Sequence, residues 1–195
     1  LTPNEKMLIE DEVAWRESIA HTRQLAETRE NHTTSSGLRS ALSEGFEGSF
    51  PPAGWSMINT SSSNDVTQNS DQANSGTYSA RFSSFSSSSS GYIQYMISPE
   101  LEVTTGDNSF SFWYRKYSSG SEIFSVGVST TDNDPASFTF GSDVTDASTT
   151  WQQHTVDLSA HDGVNIFVAI KYSSNYAYYL YIDDVVGPEV YVAPV

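Results

Sequence analysis

The chain has 195 residues, no cysteine, and 9 Lys and Arg against 24 Asp and Glu, a formal net charge of -15. The missing cysteines exclude disulfides, thiolate metal sites and a cysteine nucleophile, and the negative field repels phosphate backbones and anionic lipid, so nucleic acid is not an expected partner. At 37% hydrophobic residues the chain can bury one sizeable core, yet no stretch approaches the ~20 apolar residues that span a bilayer, so no membrane insertion is expected.

Residues 1 to about 30 read as a helix. Thr2, Pro3 and Glu5 form a capping box with proline at the first helical position, and Leu8, Trp15, Ile19 and Ala26 keep helical spacing. Glu12 with Arg16 and Arg23 with Glu27 are charge pairs four residues apart. The apolar stripe is narrow and needs a partner surface, either the flank of the main domain or a separate protein. Residues 31–43, NHTTSSGLRSALS, lose this periodicity and read as a linker. The expected organisation is therefore a helix and linker over 1–43, a β domain over 44–188, and an extended exit over 189–195 toward a further module.

From Glu44 onward the pattern alternates. Phe110, Phe112 and Tyr114 share one face, as do Phe124, Val126 and Val128, and again Ile166, Val168 and Ile170. Further strands are expected over 78–82, 92–97 and 153–158, separated by Gly, Ser, Asn and Asp clusters. The Ser-rich stretch 82–91 reads as a hairpin tip. Many short strands and no good helix within this region indicate an all-β sandwich or barrel.

Catalytic signatures are scarce. There is no G-x-S-x-G elbow and no H-E-x-x-H, and His21, His32, His154 and His161 stand at no ligand-like spacing. His154 reads as a packed or solvated strand residue. No glycine-rich turn leads into a lysine and a helix, which removes nucleotide chemistry. Paired carboxylates raise glycoside hydrolysis, but no clustered acidic strand supports it.

The feature left over is YYLYIDDVVGP, in which Asp183 and Asp184 close an otherwise apolar strand. Two adjacent carboxylates repel, and burial would keep one protonated unless a cation sits between them and other oxygens. Calcium, with its 6–8 oxygen ligands, suits that role. Co-ligands would come from Glu47 and from the loop 61–76, which offers Asp65, Asp71 and carbonyls near Ser75. If the first and last strands are neighbours, these groups would staple the two ends of the domain. The alternative is that Asp183 and Asp184 face solvent or cap a turn.

Seven stretches occur in a telling order: EGFEGSFPPAGW (44–55), SGTYSA (75–80), ISPEL (97–101), FSFWY (110–114), VSTTDNDPASF (128–138), TWQQHTVDLS (150–159) and YLYIDDV (179–185). Together they resemble the cleaved-adhesin or choice-of-anchor J domains of secreted bacterial proteins, which are similar in pattern to MAM domains. The resemblance implies an all-β jelly-roll β-sandwich of two antiparallel sheets, a secreted or cell-surface location, and structural calcium held at Glu47, Asp183 and Asp184. Asp71 and the Ser75 carbonyl would complete the site, although the 61–76 loop departs from the Asp-rich spacing of some relatives.

The functional expectation is a non-catalytic adhesion or ligand-binding module for an extracellular protein or glycan, with other modules of the same polypeptide as neighbours. Tyr172, Tyr176, Tyr179 and Tyr181 of the tyrosine-rich KYSSNYAYYLY region are the candidate contact residues. Alternating counts put Leu180 and Ile182 inward and Tyr179 and Tyr181 outward. An accessory spacer of a larger enzyme and a jelly-roll glycosidase or lyase are the competing readings.

Overall fold

A computed structural model describes residues 40–60, 64–85 and 93–193. The helix expected over 1–30 and most of the Ser-rich tip lie outside the described residues. Residues 40–191 form one compact unit, a jelly-roll β-sandwich of antiparallel strands.

Its strands are β1 (Ala41–Glu44), β2 (Ser56–Asn59), β3 (Thr67–Asn69), β4 (Ser79–Ser83), β5 (Gln94–Ile97), β6 (Leu101–Glu102), β7 (Ser109–Lys116), β8 (Phe124–Ser129), β9 (Thr139–Phe140), β10 (Gln152–Asp157), β11 (Asn165–Tyr172) and β12 (Tyr179–Val190). One layer runs β3-β4-β12-β7-β10, with β1 also on β12. The other runs β2-β5-β11-β8-β9. Short β6 pairs with both β11 and β12, so the two layers join into one curled sheet.

Alternation explains the core. Phe110, Phe112 and Tyr114 on β7 meet Phe124 on β8 and Ile166, Val168 and Ile170 on β11, with Leu180, Ile182 and Val185 of β12 in the same cluster. Phe112 and Phe124 pack edge to face at 5.9 Å, and Tyr114 and Phe124 at 4.9 Å, the geometry that aligns the positive ring edge with the negative face. A smaller cluster of Ile97, Phe138 and Ala169 covers the outside of the second layer.

The residues expected to be a linker behave differently at their C-terminal end. Strand β1 begins at Ala41 and buries Leu42 in the core. It pairs with β12 from Glu44 opposite Val185 to Ala41 opposite Glu189. Likewise β12 continues to Val190, and Tyr191 N donates to Glu100 O, so sheet pairing outlasts the expected end at 188. A four-residue strand with one buried apolar side chain carries too little alternation to stand out from a Ser-rich background; its partner strand supplies the order.

Candidate functional site

The position of the acidic pair follows from how β12 changes neighbours. Over Tyr179–Ile182 it is flanked by β4 and β7. Val186 faces Ser43 of β1 on one side and Ser111 of β7 on the other, so β1 lies on the side of β12 that β4 occupies earlier. Asp183 and Asp184 stand at the gap between the end of β1 and the start of β4.

A β-bulge sits at this gap. The register with β7 shifts between Asp183 and Val186, and the buried core positions run Leu180, Ile182, Val185, a step of three where a regular strand takes two. Asp184 takes the left-handed conformation, φ 45°. In a regular strand adjacent side chains point to opposite faces; the bulge instead lets both carboxylates reach one loop.

That loop is 74–78. Asp183 Oδ2 accepts from Asn74 N at 2.6 Å and Ser75 N at 3.2 Å, while its Oδ1 accepts from Asp184 N at 2.8 Å. Asp184 accepts from Asn74 Nδ2 at 2.7 Å and Ser75 Oγ at 2.6 Å. These bonds replace the backbone ladder that the gap interrupts.

Glu47 reaches the same loop from the turn that follows β1. Phe46 has φ 59° and sends its ring into the core against Phe50 and Trp55. The following Glu47 carboxylate accepts from Thr77 N and Tyr78 N, each at 2.8 Å. Gly76, φ +61°, lies beneath it, and a Cβ there would overlap Glu47 Oε1. The Gln68 amide of β3 donates to Phe46 O and Gly48 O, fixing the turn from outside.

Three carboxylates from the two ends of the domain therefore converge on one five-residue loop, and their partners are N–H, amide and hydroxyl groups. Asp183 is fully buried; burial, helped by the neighbouring Asp184 charge, pushes its carboxyl up to about 6 despite three backbone N–H bonds that pull it down. The donor atoms are all hard oxygens, the chemistry that suits calcium. As the side chains stand they turn toward N–H groups, and among the described residues no three His, Cys, Asp or Glu side chains form a group that could share one ion.

Asp71 is engaged elsewhere. Its Oδ2 lies 3.5 Å from Arg81 Nη1, on the face of β4 away from the core. Asp65 accepts from Asn59 Nδ2.

The tyrosines divide. Tyr179 is half-buried and Tyr176 is 77% exposed. Tyr172 and Tyr181 are buried, which corrects the expectation that they offer contact surface. Tyr181 does point away from Leu180 and Ile182, but Arg81 and Arg115 stand opposite it on both flanking strands; counting along one strand cannot register such cover. Tyr172 lies on the core face, and its hydroxyl donates to Glu122 Oε2 at 2.5 Å and sits 2.9 Å from Ser84 Oγ. Burial, with Glu122 beside it, holds that hydroxyl well above the usual tyrosine range.

Glu122 was not legible as a functional residue. It is buried, and its other oxygen accepts from Tyr178 N at 2.8 Å, while Ser84 Oγ accepts from Ala177 N at 3.1 Å. This network pins the loop between β11 and β12. The loop and its surroundings carry exposed rings: Phe85 (48%), Tyr117 (46%) and Tyr178 (41%) join Tyr179. Ring centroids lie 5.7 Å apart for Phe85–Tyr178, 6.1 Å for Tyr178–Tyr117, 5.5 Å for Tyr117–Tyr179 and 6.1 Å for Tyr179–Phe85, a closed four-ring tile whose planes are inclined to their neighbours by 27° to 72°. Beside it a small pocket of about 130 Å³ is lined by Phe85, Tyr176, Ala177 and Tyr178. His154 packs against Phe112, Tyr114 and Phe124, and burial lowers its pKa.

Residues 45–188 match the MAM domain family, meprin/A5/mu. Among solved structures, the K1 cleaved adhesin domain of Lys-gingipain from Porphyromonas gingivalis W83 superposes with a TM-score of 0.62 at 24% identity, covering 79% of this chain and 99% of that one. The K3 cleaved adhesin domain of the same protein gives 0.61 at 22% identity, covering 75% and 98%. TmCBM61, solved with β-1,4-galactotriose, gives 0.52 at 19% identity over 73% and 92%. At these identities the likeness is one of fold, and it bears out the resemblance carried by the seven stretches. No match is found among curated protein sequences. With the family's pattern extending across nearly the whole sandwich, from the turn before Phe46 to the strand that carries Asp183 and Asp184, this chain belongs to the MAM domain family.

Proposed function

We propose that this chain is a non-catalytic binding module of a secreted or cell-surface protein, which holds an extracellular protein or glycan ligand and uses calcium to close its sandwich. The observation that carries the reading is the tile of exposed rings around Tyr178, whose loop is locked by the buried Glu122–Tyr172–Ser84 network. A contiguous group of exposed aromatics marks an interaction surface, and holding it in place beforehand reduces the ordering entropy of binding.

The acidic groups speak for stability rather than chemistry. Among the described residues Asp183 is the carboxylate with a markedly raised pKa, and it is sealed from solvent, so no substrate reaches it. Calcium would be held by Glu47, Asp183 and Asp184, with Ser75 as a further oxygen donor once they turn toward it, while Asp71 stays with Arg81; the ion would supply the positive charge that three converging carboxylates lack. The galactotriose complex of the fold neighbour TmCBM61 supports glycan among the ligand classes, and the cleaved adhesin domains support a surface role beside other modules of one polypeptide.

Glycan and protein arrays probed with the wild type and with Tyr178→Ala test this. Ligands captured by the wild type and lost by the variant are expected. An array on which the folded wild type captures nothing of either class favours a spacer and overturns the reading.

A further inference from the structure

Resting on that reading, we infer that the ring tile takes a neutral glycan, one or two pyranose units packed against the inclined rings of Tyr178, Phe85, Tyr117 and Tyr179 with an edge in the adjoining pocket. Three features select this class. The first is footprint. A closed cycle of ring centroids spaced about 6 Å apart covers far less than the about 800 Å² that each partner of a stable protein complex contributes, and it matches the span of a sugar ring or two. A peptide has no free strand to pair with here, because β12 is flanked by β4 on one side and β7 on the other over Leu180–Ile182.

The second is chemistry. A pyranose has an apolar C–H face and a hydroxyl rim, which complement a tyrosine's ring and its hydroxyl. Among the described residues no carboxylate, lysine, arginine or histidine lines the pocket of Phe85, Tyr176, Ala177 and Tyr178. Arg81 lies 4.6 Å over the Tyr179 ring, but it is already beside Asp71, and Lys116 Nζ donates to Gly120 O. Lys116 keeps its charge in that bond, but Arg81 is offset by Asp71, and the chain's net charge of -15 disfavours an anionic polysaccharide.

The third is preorganisation. Tyr178 N is bonded to buried Glu122, and Ala177 N to Ser84 Oγ, which Tyr172 in turn touches. The pocket wall is thereby set by buried polar bonds rather than by the surface residues themselves, the support that a binding shell requires.

Titration calorimetry and chemical-shift mapping of the full chain with the neutral disaccharides cellobiose, galactobiose and xylobiose, and with a glucuronic-acid disaccharide, test the inference. At least one neutral disaccharide is expected to bind and to shift the tile's resonances. Its affinity should fall at least tenfold in Tyr178→Ala and in Phe85→Ala, with melting temperatures within a few degrees of wild type because both side chains are exposed. Binding only of the acidic sugar, or neutral-sugar binding that survives both substitutions, overturns it. If no disaccharide binds but a protein ligand does, and Tyr178→Ala abolishes that binding, this inference falls while the proposed function stands; if no ligand of any class binds, both fall.

Discussion

Gly76 offers a controlled measurement of the closure at Glu47. Its φ of +61° costs an L-residue about 1–2 kcal/mol, and a Cβ there would overlap the Glu47 carboxylate. Gly76→Ala therefore combines backbone strain with displacement of Glu47 from Thr77 N and Tyr78 N, each bond contributing about 1 kcal/mol. Gly163, φ +80° with no atom near its Cβ position, isolates the strain alone. Gly76→Ala should destabilise by about 3–4 kcal/mol in urea unfolding and Gly163→Ala by about 1–2 kcal/mol. Adding Glu47→Ala should then cost little in the Gly76→Ala background and its full effect in the Gly163→Ala background, since contacting residues are not additive. Equal losses for the two glycine variants, or full additivity with Glu47→Ala, would refute the claim that Glu47 ties the loop to β1.

Other outcomes follow from the same geometry. With chelator present, Asp183 binds its proton more tightly folded, about 6, than unfolded, near 3.8; stability should fall as pH rises between about 4 and 6, by about 3 kcal/mol at 1.36 kcal/mol per unit, and Asp183→Asn should remove that slope. With calcium in excess the slope over this window should weaken or reverse, because the ion competes with the proton. Tyr172→Phe leaves the buried Glu122 Oε2 without its donor and should lower the urea-derived stability by about 2–4 kcal/mol. Asp184→Asn, which tolerates φ 45°, should retain more stability in chelator than Asp184→Val, whose branched side chain resists that conformation by about 1–2 kcal/mol or more; thermal melts in chelator compare them.

Much of this molecule was legible where one face is buried and the other wet. The alternation along 109–116 and 165–172 places Phe112 and Val168 in the core directly. The convergence of Glu47 with Asp183 and Asp184 followed from asking what two adjacent charges need. The bulge that permits it was not legible, because one left-handed residue at Asp184 leaves no compositional trace unless it is glycine or asparagine. Strand β1 was hidden because its order comes from β12, a partner more than 140 positions away. Tyr181 was misplaced because burial on a sheet's outer face depends on neighbouring strands, here the Arg81 and Arg115 positions. Glu122 escaped because a lone acid before an apolar strand looks like any solvated charge; only the fold shows Tyr172 and Tyr178 N meeting it.

The most direct test of the account is thermal unfolding of the chain in calcium and in chelator, for the wild type, Glu47→Ala and Asp183→Asn. A cation that binds the folded state alone, at a hundredfold over its dissociation constant, stabilises by about 2.7 kcal/mol, a rise of about 5–10 °C for a domain of this size. The account predicts that rise in the wild type and its loss in both variants. A wild type that melts at the same temperature in calcium and in chelator would contradict it.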